Sequence, residues 1–429
     1  MRILIVTNFY PPYQLGGMGE SCQQVVKELQ ARGHEVAVLT SMNGTRNTPV
    51  EDGDVYRWLY LEMDFEPWLQ ALKFFLNRKQ REAKSLQRFQ QLLDEQQPDV
   101  LFVWGMWNLP RSLAAFAEEQ YPQRVVYRFA EYWPTLPSQY VFYWQATGRR
   151  WYSRLPKAIL GLIARGILAF DERPVLKFER AICVSETTRD TLVDAGIPVE
   201  HARVIHTGID AEPFLVEREG RTSRRAGEPL VLLYAGRFET YKGVETVIEA
   251  MRLLVQEREK PAVKLILAGS GTEDYNRKLQ EIALAYGLEE FVDFVGRIPH
   301  DEMPQLMAQC DAVVMPSTWE EPFARVVLEG MSSGLAVIST PLGGSKEIIR
   351  DGENGLFFKP GDAGDLSSKL LMLVDHQDLV EKLARSGVQT VREGYTVEKM
   401  MDEIEAYLLE TASIPLEVVN EQLPSPEAV

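Results

Sequence analysis

Short apolar runs, many of them β-branched, recur along the chain, and each is followed by a stretch whose apolar positions return with helical spacing. In the first half the runs are ILIVT (3–7), VAVLT (36–40), VLFVW (100–104), VVYRF (125–129), AICVS (181–185) and RVIH (203–206). The second half has LVLLYAG (230–236), KLILAG (264–269), VDFVG (292–296), AVVMPS (312–317), AVIST (336–340) and GLFF (355–358). Strands covered on both faces of a parallel sheet read as continuous apolar runs, because neither face meets water. Alternation with helices then predicts doubly wound α/β architecture. Between the two sets lies AEPFLVEREGRTSRRAGEP (211–229), polar and rich in turn formers, which reads as a linker. Two Rossmann-like domains are expected, 1–208 and 209–393, with chemistry in the loops beyond the carboxyl ends of their strands. The segment 412–429, ending NEQLPSPEAV, is acidic with three prolines, a composition that predicts disorder.

Composition narrows the class. A chain of 429 residues is too long for one compact core. Forty-six Lys and Arg against sixty-two Asp and Glu give a net charge of −16, the wrong sign for a general nucleic-acid binder. Three scattered cysteines, Cys22, Cys183 and Cys310, suit neither a disulfide framework nor a thiolate metal site and point to a reducing cytoplasm. MRILIVTNFY reads as a first strand rather than a signal peptide. The most apolar later segment, AILGLIARGILAF (158–170), is shorter than the ~20 residues of a bilayer span and carries Arg165.

The loops carry the candidate chemistry. No G-x-G-x-x-G follows the first strand, and Gly269-Ser270-Gly271 lacks the third glycine, so dinucleotide binding fails on spacing; a G-x-x-x-x-G-K-[ST] loop is absent as well. LGGMGE (15–20) opens a helix that closes on Gly33, and its glycines permit close approach of an anion to helix N–H groups; the alternative is a plain loop-to-helix turn. AGRFETYKG (235–243) sets Arg237 just beyond a strand end and Lys242 five residues on, two cations suited to a diphosphate unless they are merely solvated. In EEPFARVVLEGM (320–331), Glu321 lies in a loop, Pro322 marks a turn and a helix starts near Ala324, with Glu329 in its second turn. The N–H groups near Arg325 and Val326 suit phosphate there, and the carboxylates suit hydroxyls.

Taken together, FYPPYQLGGMGE, VSETTRDTLVDAG, HTGIDAEPF, AGRFETYKGVETVIEAM, LILAGSG, VDFVGRIP, the Glu-x7-Glu segment and PLGGSKEIIRDGENGLFF resemble the retaining glycosyltransferases of family 4. The resemblance covers nearly the whole chain and is most specific in the C-terminal half. It implies the GT-B fold: two Rossmann-like domains facing across a cleft, the first completed by a helix at about 394–411 that crosses back. It implies transfer of a sugar from a UDP-, GDP- or ADP-linked donor, a co-substrate, with retention of configuration and neither cofactor nor metal. By position, Arg237 and Lys242 would grip the donor diphosphate, Glu321 the sugar, Glu329 the ribose, and Arg297 with Ile298 the base. Phe323, Ala324, Arg325 and Val326 would complete that pocket, and Gly16 and Gly17 would approach the diphosphate from the other domain. Glu321, Arg237, Lys242 and Glu131 would be the catalytic set. Many relatives have a His in a stretch like VYRFAEYWP (126–134); here Ala130 occupies that place, leaving the role vacant or passed to Glu131 or Arg128. A catalytically silent binder of a nucleotide sugar or glycan and a GT-B sugar-nucleotide epimerase are the alternatives.

Residues 134–170 contain Arg149, Arg150, Arg154, Lys157 and Arg165 and no acid, interleaved with aromatics such as Trp151. Cations, interfacial aromatics and an amphipathic stretch suit an anionic membrane surface on the cytoplasmic side, and so a lipid or lipid-linked glycan acceptor. Residues 68–90 add a second basic amphipathic pattern. The other reading is a helical insertion whose aromatics are core, with a soluble sugar as acceptor.

Overall fold

The computed structural model describes residues 1–13, 17–64, 70–147, 151–171, 173–219, 228–257 and 263–415. They form two compact units. The first comprises Met1–Cys183, Arg189–Val204 and the residues from Met401 on; the second comprises Val184–Thr188 and Ile205–Met400.

The first unit is built on an eight-stranded sheet: β1 (Arg2–Thr7), β2 (Glu35–Ser41), β3 (Val50–Asp52), β4 (Val55–Leu59), β5 (Val100–Gly105), β6 (Val125–Phe129), β7 (Arg180–Cys183) and β8 (Arg203–Val204), in the order β3-β4-β2-β1-β5-β6-β7-β8. All neighbours are parallel except the β3–β4 hairpin. That hairpin is the part the apolar pattern misses: VEDGDVYRWL has no continuous apolar run, because β3 is exposed at the sheet edge. Central strands do what the pattern requires, with β5 buried along its whole length.

The second unit has six parallel strands, β9 (Leu230–Ala235), β10 (Val263–Ala268), β11 (Val292–Gly296), β12 (Ala312–Met315), β13 (Ala336–Ser339) and β14 (Leu356–Phe357), in the order β11-β10-β9-β12-β13-β14. The chain winds outward one way from β9 and then the other way from β12. Helices on either side of such a reversal diverge and leave a crevice above the carboxyl ends of β9 and β12.

The linker reading of 211–229 needs correction. Its first part is a helix, Glu212–Glu219, whose Phe214 is buried in the core of the second unit. Glu217, Arg218 and Glu219 hide that helix from a composition-based reading; residues 220–227 lie outside the described part. The helix Val397–Ala412 begins in the second unit, and its later residues belong to the first. There Arg32 meets Asp402 at 2.8 Å and Glu405 at 2.6 Å, and Glu405 also contacts His34 Nε2 at 2.7 Å. Beyond Ala412, the Ile414 carbonyl accepts from Arg124 Nε at 2.8 Å; 416–429 lie outside the described residues.

Candidate active site

At the end of β9 the loops continue the hydrogen bonding of the sheet. Gly236 N donates to the Ala268 carbonyl (3.0 Å), Phe238 N to Ser270 (3.0 Å) and Gly269 N to Gly296 (2.7 Å). The Tyr234 hydroxyl donates to the Arg237 carbonyl at 2.8 Å. A single 3-10 turn, Thr240–Lys242, then leads into the helix Val244–Glu257. Gly243 closes the turn at φ +72°, and a Cβ there would lie 2.0 Å from the Pro316 carbonyl oxygen. Only glycine allows the loop after β9 to lie this close to the loop after β12. Thr318 N donates to the Tyr241 carbonyl at 2.8 Å and joins the two.

Lys242 Nζ lies 2.5 Å from Glu321 Oε1, and both side chains are largely buried. Arg237 Nη1 pairs with Glu239 at 2.6 Å, and its Nη2 donates to the Tyr241 hydroxyl at 3.1 Å; its guanidinium is 67% exposed. The two cations therefore do not share a partner carboxylate. They are linked through Tyr241, whose ring lies 5.8 Å from Lys242 Nζ and meets Trp319 edge-on at 5.6 Å.

Around Glu321 the backbone is fixed from the loop after β13. Gly343 N donates to the Glu320 carboxylate, and Gly344 N to the Glu321 carbonyl at 2.8 Å. The helix Arg325–Ser332 starts at Ala324, which supplies no side-chain cap, so the first turn keeps its anion-binding character. Phe323 packs beside His206 and Tyr395. Glu329 is buried, accepts from His300 Nε2 at 3.3 Å and lies 3.7 Å from Arg325 Nη2. Burial alone would raise its pKa; the His300 hydrogen bond and the charges of Arg325 and His300 outweigh that and hold the carboxyl below its ordinary range. Arg297 is exposed, whereas Ile298 packs against the unit's core.

The first unit treats the expected residues unequally. Gly16, Arg149 and Arg150 lie outside the described residues, as does the side chain of Trp151. Gly17 is exposed and begins the helix Gly17–Ala31. Trp151–Phe170 is one helix that exposes Arg154 together with Leu155, Ile159, Leu162, Ile163 and Phe170. Lys157 instead lies over the Tyr143 ring at 4.3 Å. Trp144 is buried with Phe74, and Tyr140 and Tyr143 pack against them, so these aromatics are a small core and not an interfacial belt. The basic pattern of 68–90 is also spoken for. In the helix Gln70–Gln96, Lys73 and Arg81 pair with Asp64, Arg78 pairs with Asp171, and Arg88 donates to the Trp58 carbonyl.

Arg128 is buried within β6 against the Trp104 ring, 4.1 Å away, which removes it as the substitute for the missing imidazole. Glu131 follows β6; burial, partly offset by a hydrogen bond from the Trp107 backbone, pushes its carboxyl up to about 7, and its Oε1 has no hydrogen-bond partner among the described residues. A carboxyl raised in the fold is fully compatible with it below the ordinary pKa and opposes folding as pH rises through 7. Glu131→Gln should therefore stabilise the protein at pH 8, by on the order of 3 kcal/mol, with no gain at pH 4. Glu62, also pushed up to about 7, leaves part of the pH dependence in place. Thermal melts of wild type and variant across that range measure this; parallel curves would show that Glu131 does not titrate there.

Sequence reasoning overlooked Tyr241, His300, Glu320 and Gly343. A histidine after RIP and a second acid beside Glu321 were visible, but their partners are 29 and 23 residues away.

This fold, with its site at the reversal of a parallel sheet, is that of the GT-B glycosyltransferases. Anabaena HepE in complex with UDP superposes with a TM-score of 0.66 over 96% of this chain and 100% of its own, at 22% identity. Sucrose-phosphate synthase from Thermosynechococcus elongatus gives 0.70 over 95% and 98%, at 19% identity. Residues 15–213 match the family model described as Glycosyltransferase Family 4, and residues 217–390 that described as Glycosyl transferases group 1. The chain belongs to the group 1 / family 4 glycosyltransferases. Among curated relatives, glycogen synthase of Mycobacterium tuberculosis is 27% identical over 412 residues, 91% of this chain and 90% of its own length.

Proposed function

We propose that the protein transfers a sugar from a nucleotide-diphosphate donor to an acceptor hydroxyl with retention of configuration and without a metal ion. The observation that carries this reading is the Lys242–Glu321 pair, set on the loops after β9 and β12 where the winding of the sheet reverses. Lys242, Arg237 and the first turn of Arg325–Ser332 supply fixed positive potential for a departing diphosphate. Glu321 accepts from hydroxyls of the donor sugar, and Glu329, ionised at neutral pH, from those of the ribose. Arg297 and Ile298 flank the base. The bond from the anomeric carbon to the diphosphate breaks as the acceptor oxygen bonds to that carbon on the same face, and the acceptor proton passes to the leaving phosphate oxygen. HepE has been crystallised with UDP-glucose, which makes a UDP-sugar the first donor to try.

The test is a turnover screen of UDP-, GDP- and ADP-sugars with the intact chain. Hydrolysis or transfer from one of them is the expected result; tight binding of a donor with no turnover of any would leave a silent binder instead.

The acceptor on this reading is lipidic and the site of action is the cytoplasmic face of a membrane. Exposed Leu155, Ile159, Leu162, Ile163 and Phe170 on one helix, with Arg154 beside them, support it. No helix among the described residues is long and apolar enough to cross a bilayer. Leu155→Glu with Ile159→Glu should abolish co-sedimentation with phosphatidylglycerol vesicles at low salt; a wild-type protein indifferent to such vesicles would remove the membrane from the reading.

A further inference from the structure

The first unit has a cavity of about 100 Å³, room for several waters. It opens at the carboxyl edge of the first sheet, between Tyr60–Glu62 after β4, Pro110–Ser112 after β5 and Ser138–Val141 after β6. The helix Gln70–Gln96 and residues 168–174 complete its wall.

Five cationic side chains line this space against three carboxyls, and the pairing among them is incomplete. Asp171 is shared by Arg78 Nη2 at 3.1 Å and Lys79 at 3.2 Å, while Arg81 turns to Asp64 at 2.8 Å. Glu82 accepts from the Ser112 hydroxyl at 2.5 Å. Glu62 accepts from Gln139 N at 2.6 Å, and burial raises its carboxyl to about 7, so at neutral pH it offers only part of a negative charge. Arg111 spends one nitrogen, Nη2, on the carbonyls of Pro134 (2.6 Å) and Leu136 (2.8 Å). Burial lowers its proton affinity, and the like charge of Arg173 lowers it further. No carboxylate among the described residues pairs with Arg173.

The charge of Glu62 offsets part of the burial and repulsion felt by Arg111, but burial keeps that carboxyl only partly ionised at neutral pH, so two guanidiniums sharing one space still repel each other and an anion placed between them removes that repulsion. Phosphate suits the forked donors of arginine, which bind it through two parallel N–H bonds. We propose that this cavity binds the phosphate group of a phosphate-ester acceptor between Arg111 and Arg173. Leu168, at the end of the apolar helix, lines the same cavity, so an attached hydrocarbon would leave it along that helix. The proposal names the acceptor class on the reading above and rests on that reading.

The test titrates inorganic phosphate into the full chain by calorimetry. Arg173→Glu, at an exposed position, and Arg111→Lys should each weaken one phosphate site at least tenfold with unchanged melting of the fold. Arg385→Glu, an exposed charge change in the second unit, should leave that site alone. Unchanged affinity in Arg173→Glu overturns the proposal, and so does equal weakening by Arg385→Glu, which would mean a long-range field effect. Glucose 1-phosphate and vesicles of phosphatidylcholine with 20% phosphatidic acid then compete for the site. Displacement by the sugar phosphate identifies a soluble ester, displacement by the vesicles a lipid ester, and displacement by neither overturns the ester assignment. The phosphate titration uses no donor, so failure of the donor screen is a separate result.

Discussion

Lys242→Ala should remove sugar transfer, with kcat/KM falling at least ~10²-fold, and should weaken donor binding as well. The alanine deletes a cation and leaves Glu321, largely buried, without its partner 2.5 Å away. An unpaired carboxylate beside the diphosphate then repels what the lysine attracted. Glu321→Gln should behave differently. The amide keeps the shape and frees Lys242, so donor KM should hold or fall while kcat drops by a similar ~10²-fold. Steady-state kinetics on both variants, with melting curves to show that the fold survives, separate the two effects. Normal turnover in both would put the site elsewhere; identical KM and kcat changes would mean that the two residues act only as a structural pair.

Gly343→Ala is expected to damage the same site without touching a charged group. Gly343 has φ +61°, and an added Cβ would lie 2.0 Å from the carbonyl oxygen of Glu321 and 2.4 Å from its nitrogen. Both contacts are to backbone, so rotation of a side chain cannot relieve them. The segment carrying Glu321 has to move, loosening the bonds from Gly343 N to Glu320 and from Gly344 N to Glu321. Left-handed strain contributes ~1–2 kcal/mol and the clash more, so a loss of roughly 3 kcal/mol or above and at least ~10²-fold in kcat is expected. Gly352→Ala is the control: φ is +73°, but among the described residues no atom beyond its two chain neighbours lies within 4 Å of the added Cβ. It should cost only the strain, ~1–2 kcal/mol, and leave turnover intact. Equal losses in the two variants would show that the contact at Glu321 does not matter.

Most strands were legible because burial on both faces forces continuous apolar runs; each of the twelve runs overlaps a strand, although β8 and β11 are largely exposed. The β3–β4 hairpin and the helix Glu212–Glu219 were not, since one has a solvated edge strand and the other ends in Glu217, Arg218 and Glu219. In the second unit Lys242 and Glu321 stood out singly, but nothing local says that residues 79 apart in sequence meet. Charge in the first unit misled for the same reason. Arg78 and Arg81 look like a free basic face until Asp171 and Asp64 are brought alongside. Exposure is a property of tertiary partners, which composition cannot supply.

The rungs from Gly236 to Ala268, Phe238 to Ser270 and Gly269 to Gly296 tie three neighbouring loops into a single rim. Lengthening or shortening any of these loops would break a rung and displace Arg237 and Lys242 together. If the proposed function holds, a change of donor in this protein would have to come from exchanging side chains on a rim of constant length, as at Arg297. On the proposed function, grafting loops of other lengths onto this edge would cost the diphosphate grip before it changed the sugar.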